Sequence, residues 1–171
     1  MSATEKLLAN NQIYSDSFDK GDLPMPPSSR VAIVACMDAR LDVYGLLGLE
    51  EGEAHVIRNA GGVVTDDVLR SLLISQRLLG TREIILIHHT DCGMLTFRDD
   101  DVKRDVYEET EIRPSFALEA FDDPFEDVQQ SIARINGSPF VPHKGEIRGF
   151  VFDVKSGGLL EVQPHETTAG V

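Results

Sequence analysis

Two short stretches of this sequence carry side chains that could bind a metal ion. In CMDARLD, Cys36, Asp38 and Arg40 occupy alternate positions directly after the apolar run VAIVA. In IHHTDCGM, His89 and Cys92 come off the end of a second apolar run. Two thiolates and one imidazole favour zinc over magnesium or calcium, and three protein ligands with an open fourth position are typical of catalytic zinc. Cys36, His89 and Cys92 are therefore candidate zinc ligands.

From the residues alone, other interpretations stay open. A free cysteine is most often an ordinary buried thiol, and a histidine in a core is often satisfied by hydrogen bonds. His88 also needs consideration, but neighbours in a strand point to opposite faces, so only one of His88 and His89 can reach a metal. The H-x-x-C spacing favours His89.

Asp38 and Arg40 lie on the same side as Cys36 if this stretch is extended. They could simply form a surface ion pair, which contributes little to stability. Beside a metal, Asp38 could bind the zinc or accept a hydrogen bond from zinc-bound water. Arg40 would then hold the carboxylate through a two-pronged contact.

The stretch RNAGG at residues 58–62 follows a third apolar run. Its Gly61 and Gly62 permit close backbone approach and unusual dihedral angles, so they could offer N–H donors to a substrate. A turn before the next helix explains the glycines equally well.

The surrounding pattern predicts an α/β fold, with a mostly parallel sheet of four strands, an antiparallel edge strand and flanking helices. The predicted parallel strands are residues 30–36, 53–60, 83–89 and 147–154, and the antiparallel strand is 158–164. Helices are predicted at 65–80, where Thr65 can cap the start, and at 124–137. The acidic stretch 98–127 has no clear helical pattern and is predicted to be a solvated excursion.

No linker divides the chain, so we expect one domain over residues 1–171. Within it, residues 1–29 read as an N-terminal arm with a helix, which could pack on a neighbouring chain or be a frayed end. The chain carries a formal net charge of −13, which argues against nucleic acid as a partner. No apolar run is long enough to span a membrane and no signal pattern opens the chain, so we expect a cytoplasmic protein.

The stretches ACMDAR, VIRNAGG and HHTDCGM, in this order and spacing, resemble the β-class carbonic anhydrases over residues 28–155. The resemblance implies one zinc ion per chain at Cys36, His89 and Cys92, with an Asp38–Arg40 dyad beside it. It also implies a homodimer or a dimer of dimers, in which the N-terminal arm wraps around the partner.

The function implied by the resemblance is the reversible hydration of carbon dioxide to bicarbonate and a proton by a zinc-bound hydroxide. The same ligand motifs occur in enzymes that hydrolyse carbonyl sulfide or carbon disulfide, so these are the alternative substrates. A non-catalytic protein that zinc only stabilises is a third interpretation. The sequence favours no proton shuttle among His55, His88, His143 and His165.

Overall fold

A five-stranded sheet forms the centre of the protein, for which a computed structural model describes residues 2–163. The strands are β1 (Val31–Cys36), β2 (Ala54–Asn59), β3 (Glu83–His89), β4 (Ile147–Phe152) and β5 (Leu159–Val162). Their order across the sheet is β2-β1-β3-β4-β5. The first four are parallel and β5 is antiparallel to β4, which confirms the predicted α/β fold. The predicted last strand reached residue 164, which lies outside the described residues.

The described part of the chain contains five α-helices. They are α1 (Ala3–Asp16), α2 (Val43–Leu47), α3 (Asp66–Arg77), α4 (Asp99–Thr110) and α5 (Pro124–Gly137). As predicted, the Thr65 side chain caps α3 by accepting a hydrogen bond from the N–H of Val68. The sequence pattern missed α2, which is only five residues long, and α4, none of whose residues is buried.

Apolar side chains cover both faces of the sheet, as expected for parallel strands. In β1, every residue after Val31 is buried. On one face, β1, β3 and β4 pack against buried side chains of α3 and α5, among them Leu72 and Ile135. On the other face, a second apolar cluster contains Ile33, Ile87 and both cysteines. Each fully buried Val or Ile stabilises the fold by about 1.5–3 kcal/mol.

The register of the sheet places the carboxyl ends of the central strands at one edge. Cys36, the last residue of β1, is level with Asn59 at the end of β2. Ala35 of β1 is level with Ile87 of β3, so His89 extends just beyond the end of β1. Ligand sites of open α/β sheets lie at this edge, outside the carboxyl ends of the strands.

The predicted helix of the N-terminal arm is present as α1. Ser2 and Glu5 form a capping box at its start, and none of its residues is buried. Large apolar side chains of the arm lie open to solvent in this single chain, including Leu8 at 65%, Ile13 at 71% and Phe18 at 50% exposure. Within residues 2–163, the longest apolar stretch in any helix is too short to cross a membrane.

Candidate metal centre

Three metal-ligating side chains converge beyond the ends of β1 and β3. One donor atom from each of Cys36, His89 and Cys92 lies within 4.8 Å of the other two, and all three residues are buried. The two Sγ atoms are 4.0 Å apart. Two sulfur atoms bound to zinc at about 2.3 Å with tetrahedral geometry are about 3.8 Å apart. The three residues therefore fit a zinc ion with little rearrangement.

The His89 ring is oriented for metal binding. Its Nδ1 lies 2.9 Å from the carbonyl oxygen of Thr90, so this nitrogen carries the hydrogen and donates to the carbonyl. Its Nε2 is buried and has no hydrogen-bond partner among residues 2–163. An unsatisfied buried nitrogen is costly, and a metal ion beside the two thiols would satisfy it.

The two thiols do not have equal proton affinity. The hydrogen bond from the Cys92 thiol lowers the pKa of Cys36 to about 4 and raises the pKa of Cys92. Burial by itself lowers the pKa of His89, but the neighbouring Cys36 thiolate outweighs this and gives a net rise. Metal binding must displace these protons, so metal affinity is expected to fall as pH decreases.

The alternating positions of Cys36, Asp38 and Arg40 suggested an extended chain after β1, but the chain turns there. Asp38 Oδ1 accepts a hydrogen bond of 2.8 Å from the N–H of Arg40, and the Asp38 carbonyl accepts one of 3.0 Å from Leu41. An aspartate that binds its own backbone two residues on forms a tight turn. The turn still brings Asp38 to the metal centre, because its Oδ2 lies 3.7 Å from His89 Nε2.

Arg40 holds the Asp38 carboxylate in a two-pronged contact, as expected. Its Nε donates to Oδ1 at 3.0 Å and its Nη2 donates to Oδ2 at 2.8 Å. These hydrogen bonds place the pKa of Asp38 well below its usual range and raise the pKa of Arg40. Arg40 also donates to Asp91, through Nη1 to Oδ2 at 2.8 Å and Nη2 to the carbonyl oxygen at 2.9 Å.

Gly61 and Gly62 occupy different places relative to the centre. Gly62 has φ +74°, and a Cβ there would lie 2.8 Å from Cys36 N and 3.0 Å from Ile87 O. It is therefore packed directly on β1 and β3, behind the ligands. Gly61 has φ +80° and lines the space in front of them, and a Cβ there would meet Val63 Cγ2 at 2.9 Å and Met94 Cγ at 3.1 Å.

A mostly apolar cavity of about 510 Å³ opens in front of the metal ligands. Asp38 and Thr96 are its polar side chains, and the apolar part of its wall includes Met37, Gly61, Met94 and Phe97. Such a lining suits a small, uncharged molecule and offers little to a large polar one.

Comparisons with known proteins agree with this geometry. A sequence profile described as carbonic anhydrase matches residues 31–159. Beta-carbonic anhydrase 1 of Mycobacterium tuberculosis is 66% identical over 164 residues, covering 96% of this chain and 100% of the relative. This chain belongs to the β-carbonic anhydrase family. A crystal structure of carbonic anhydrase from Streptococcus mutans has a TM-score of 0.89 and 43% identity, covering 95% of this chain and 99% of the other.

Some relatives of this chain are named for a different activity. Carbon disulfide hydrolase of Acidithiobacillus thiooxidans is 33% identical over 155 residues, covering 79% of this chain and 78% of the relative. The β-carbonic anhydrases are zinc-dependent lyases, and the donor set found here is compatible with that metal.

One contact of the carbonic anhydrase site was missed in the sequence. Arg58, at the end of β2, donates to the Cys36 carbonyl oxygen from Nε at 2.9 Å and from Nη2 at 2.8 Å. Its Nη2 also donates to the Asp38 carbonyl oxygen at 2.7 Å. Arg58 thus fixes the backbone between ligand and dyad. A signal was present in RNAGG, since an arginine at a strand end adjacent to β1 can reach exposed carbonyls.

Within residues 2–163, the histidines other than His89 lie away from the cavity of this carbonic anhydrase. His88 points to the opposite face of the sheet from His89, and its Nε2 lies 2.6 Å from Oδ2 of the buried Asp127 in α5. His55 contacts the Ser75 hydroxyl, and burial lowers its pKa. His143 contacts Arg82. None of the histidines other than His89 within residues 2–163 is at the centre, and the candidate shuttle His165 lies outside the described residues.

Proposed function

We propose that this protein catalyses the reversible hydration of carbon dioxide to bicarbonate and a proton, with one zinc ion per chain held by Cys36, His89 and Cys92. The observation that supports this most directly is the convergence of these three buried donors at the mouth of an apolar cavity. One of them, His89 Nε2, has no hydrogen-bond partner in the described part of the chain. Membership of the β-carbonic anhydrase family supports the same activity.

The zinc ion and the protein chain would contribute different parts of the chemistry. When bound with an open fourth position, zinc acts as a Lewis acid that lowers the pKa of water enough to supply a nucleophile near neutral pH. The chain supplies two thiolates, which offset the charge of the ion, and an apolar cavity in which carbon dioxide is less disfavoured than in water.

Asp38 and Arg40 are the proposed catalytic pair. The Asp38 carboxylate, 3.7 Å from His89 Nε2, is close enough to accept a hydrogen bond from a nucleophile held beside the ligands. In that role it would aim the oxygen lone pair at the carbon of the substrate. Arg40 would keep the same carboxylate from binding the metal itself, because it donates one hydrogen bond to each carboxylate oxygen in a bidentate ion pair.

We further propose that the backbone around Gly61 contacts the substrate. Gly61 lines the cavity and has no side chain to fill it. Gly62, also predicted to bind substrate, is proposed to contribute through its close packing on Cys36 and Ile87, which sets where the Gly61 backbone lies.

The test is metal content and carbon dioxide turnover measured on one preparation. We expect about one zinc per chain, and loss of both zinc and turnover in Cys92→Ser, because a neutral hydroxyl replaces a thiolate poorly. His89→Ala should also lose zinc, whereas the control His143→Ala, at a histidine outside the cavity, should keep it. Normal zinc content in Cys92→Ser or His89→Ala would reject the ligand set.

Hydrolysis of carbonyl sulfide or carbon disulfide on the same centre is the second candidate. The apolar cavity would admit these molecules too, and the carbon disulfide hydrolase relative shares 33% of its aligned residues with this chain. Turnover of the three gases, compared at equal zinc content, decides between them. The proposal requires the highest rate with carbon dioxide.

We also propose that residues 1–171 form one domain, that it works in the cytoplasm, and that it assembles as a homodimer or a dimer of dimers. The apolar side chains exposed on α1 support the assembly, because a single chain leaves them uncovered. The acidic net charge of −13 supports a small-molecule substrate rather than nucleic acid.

A further inference from the structure

The guanidinium of Arg40 is held along two of its edges by two different carboxylates. We propose that Asp91 is a positioning residue, which fixes Arg40 against Asp38 and thereby keeps Asp38 away from the open metal position. This inference rests on the proposed function, because it concerns the same metal centre and the same Asp38–Arg40 pair.

The contacts form two forks on one planar group. The edge made by Nε and Nη2 donates to the two carboxylate oxygens of Asp38. The edge made by Nη1 and Nη2 donates to Oδ2 and to the carbonyl oxygen of Asp91. A guanidinium bound on one edge can still pivot about that edge, whereas one bound on two edges is fixed in position and in plane.

The backbone of Asp91 makes the second fork possible. Asp91 has φ +55°, in the left-handed region that few residues other than glycine adopt, although aspartate and asparagine do so more readily than most. In this conformation its carbonyl and its carboxylate reach the same edge of Arg40. Asp91 directly precedes Cys92, so Arg40 ties the loop of one proposed ligand to the turn that follows Cys36.

Two opposing effects decide what loss of the Asp91 carboxylate would do. Without the Asp91 charge, Arg40 would be attracted to Asp38 alone, which would strengthen the ion pair between Arg40 and Asp38. Removing its hydrogen bond frees Arg40 to pivot, which would loosen the pair. Asp91 is 74% and Arg40 49% exposed at the side chain, so solvent screens the charge effect and the loss of restraint dominates.

The inference predicts a modest, specific change. When Arg40 pivots away, the Asp38 oxygen 3.7 Å from His89 Nε2 needs only a small movement to compete for the fourth metal position. An added ligand should therefore bind the metal about two- to fivefold more weakly, the size of effect that one exposed ion pair produces.

The test uses the cobalt-substituted full chain, with imidazole at pH 8 as an uncharged probe of the open position, followed by visible absorption. Asp91→Asn removes the charge but keeps a side-chain oxygen that can still accept from Arg40 Nη1, so it tests the charge effect alone. Asp91→Gly removes the side chain and keeps the left-handed backbone accessible. Asp100→Asn is the matched control, because it breaks an exposed pair with Arg113 elsewhere on the surface.

We expect one metal per chain in all variants, and weaker imidazole binding by about two- to fivefold in Asp91→Gly but not in Asp91→Asn or in the control. In an Asp38→Asn background, Asp91→Gly should have no further effect, since the neutral amide at position 38 is a poor competitor for the metal. Unchanged affinity in Asp91→Gly, an equal loss in the Asp38→Asn background, or loss of metal from either Asp91 variant would overturn the proposal. Absence of carbon dioxide turnover in a metal-loaded wild type would instead reject the proposed function, and the imidazole result would still decide the role of Asp91.

Discussion

The residues around the metal centre include a carboxylate close enough to be either a helper or an inhibitor. Asp38 Oδ2 lies 3.7 Å from the proposed ligand atom His89 Nε2, which is near the separation of two atoms bound to one zinc ion. Its contacts with Arg40 are therefore as important to the site as its distance from the ligands. A carboxylate that loses a two-pronged partner will seek another cation, and the nearest one would be the metal.

Arg40→Ala tests this dependence. We expect the variant to keep its zinc, because Arg40 is not a ligand, and to lose activity by at least about tenfold, equivalent to about 1.4 kcal/mol in the barrier. Zinc content and carbon dioxide hydration measure the two effects. Arg40→Lys should recover only part of the activity, because an ammonium cannot form the fork. A structure of Arg40→Ala with Asp38 unmoved and the fourth position free would contradict this account.

Gly62 illustrates a residue that acts through its lack of a side chain. In Gly62→Ala, the new Cβ would meet Cys36 N at 2.8 Å and Ile87 O at 3.0 Å, in a backbone conformation with φ +74°. We expect a loss of about 2–5 kcal/mol in the free energy of unfolding, from overpacking together with left-handed strain.

Gly93→Ala is the matched control for this substitution. Gly93 also lies beside the metal ligands, but a Cβ there would meet no atom of the described residues within 4 Å, apart from its chain neighbours. Urea denaturation of the two variants should show a large loss only for Gly62→Ala. Equal stability of the two would show that the sheet tolerates a side chain behind the ligands.

Among the elements, α4 is positioned by its first residue rather than by a buried face. The Asp99 carboxylate accepts hydrogen bonds from three successive backbone N–H groups, those of Leu118, Glu119 and Ala120, at 2.7, 3.3 and 3.0 Å. The loop held in this way carries Phe121, whose ring would meet a Cβ on Gly61 at 3.1 Å. Asp99 therefore connects α4 to a loop that packs beside Gly61 of the candidate site.

This arrangement predicts a pH-dependent contribution to stability. Partial burial alone raises the pKa of Asp99, but the three N–H donors outweigh it and lower the pKa overall. A carboxyl with a lowered folded-state pKa stabilises the fold above its unfolded value of about 3.9, and this contribution disappears as pH falls through the folded value.

Asp99→Asn should therefore cost about 1 kcal/mol at pH 7, and the difference from wild type should shrink below about pH 4. Chemical denaturation at several pH values measures it. Asp100→Asn, in the same helix but 89% exposed at its side chain, should show a smaller loss at pH 7. A constant Asp99→Asn difference down to pH 3 would mean that the carboxylate charge is not responsible.

At the scale of the whole molecule, the N-terminal arm (residues 1–29) carries large apolar side chains that a single chain leaves exposed. None of the α1 residues is buried, and the described ion pairs between the arm and the body, those of Lys20 with Glu50 and Glu51, come after this helix. A helix with exposed Leu and Ile side chains gains stability only when another surface covers it. A second copy of this chain is the proposed partner.

Ile13→Asp tests that assembly, since Ile13 is 71% exposed in the single chain. Losing one buried isoleucine per contact should weaken the dimer by about tenfold or more, while leaving the fold of the monomer unchanged. Asn10→Asp, which adds the same charge to the same exposed helix, should have a much smaller effect. Sedimentation across a range of protein concentrations measures both, and an unaltered dimer in Ile13→Asp would show that the arm is dispensable.

The sequence by itself was sufficient to predict the sheet and the convergence of the three candidate ligands. Short runs of Val and Ile separated by helical patterns predict parallel strands, and the carboxyl ends of such strands meet at one edge. Because Cys36 and His89 each stand at the end of such a run, their proximity follows from local patterns alone. The H-x-x-C spacing then brings Cys92 to the same place.

Only the tertiary structure decided how the charged groups are arranged around those ligands. The turn after Cys36 forms because Asp38 binds its own backbone, a competition that an alternating pattern does not reveal. Arg40 and Asp91 are 51 positions apart, and Arg58 reaches backbone carbonyls rather than side chains. Such contacts depend on the relative placement of three strand ends and on hydrogen bonds without any sequence period. The local pattern therefore predicts which residues form the metal centre, and the tertiary structure determines which charged side chains hold Asp38 and the backbone beside it in place.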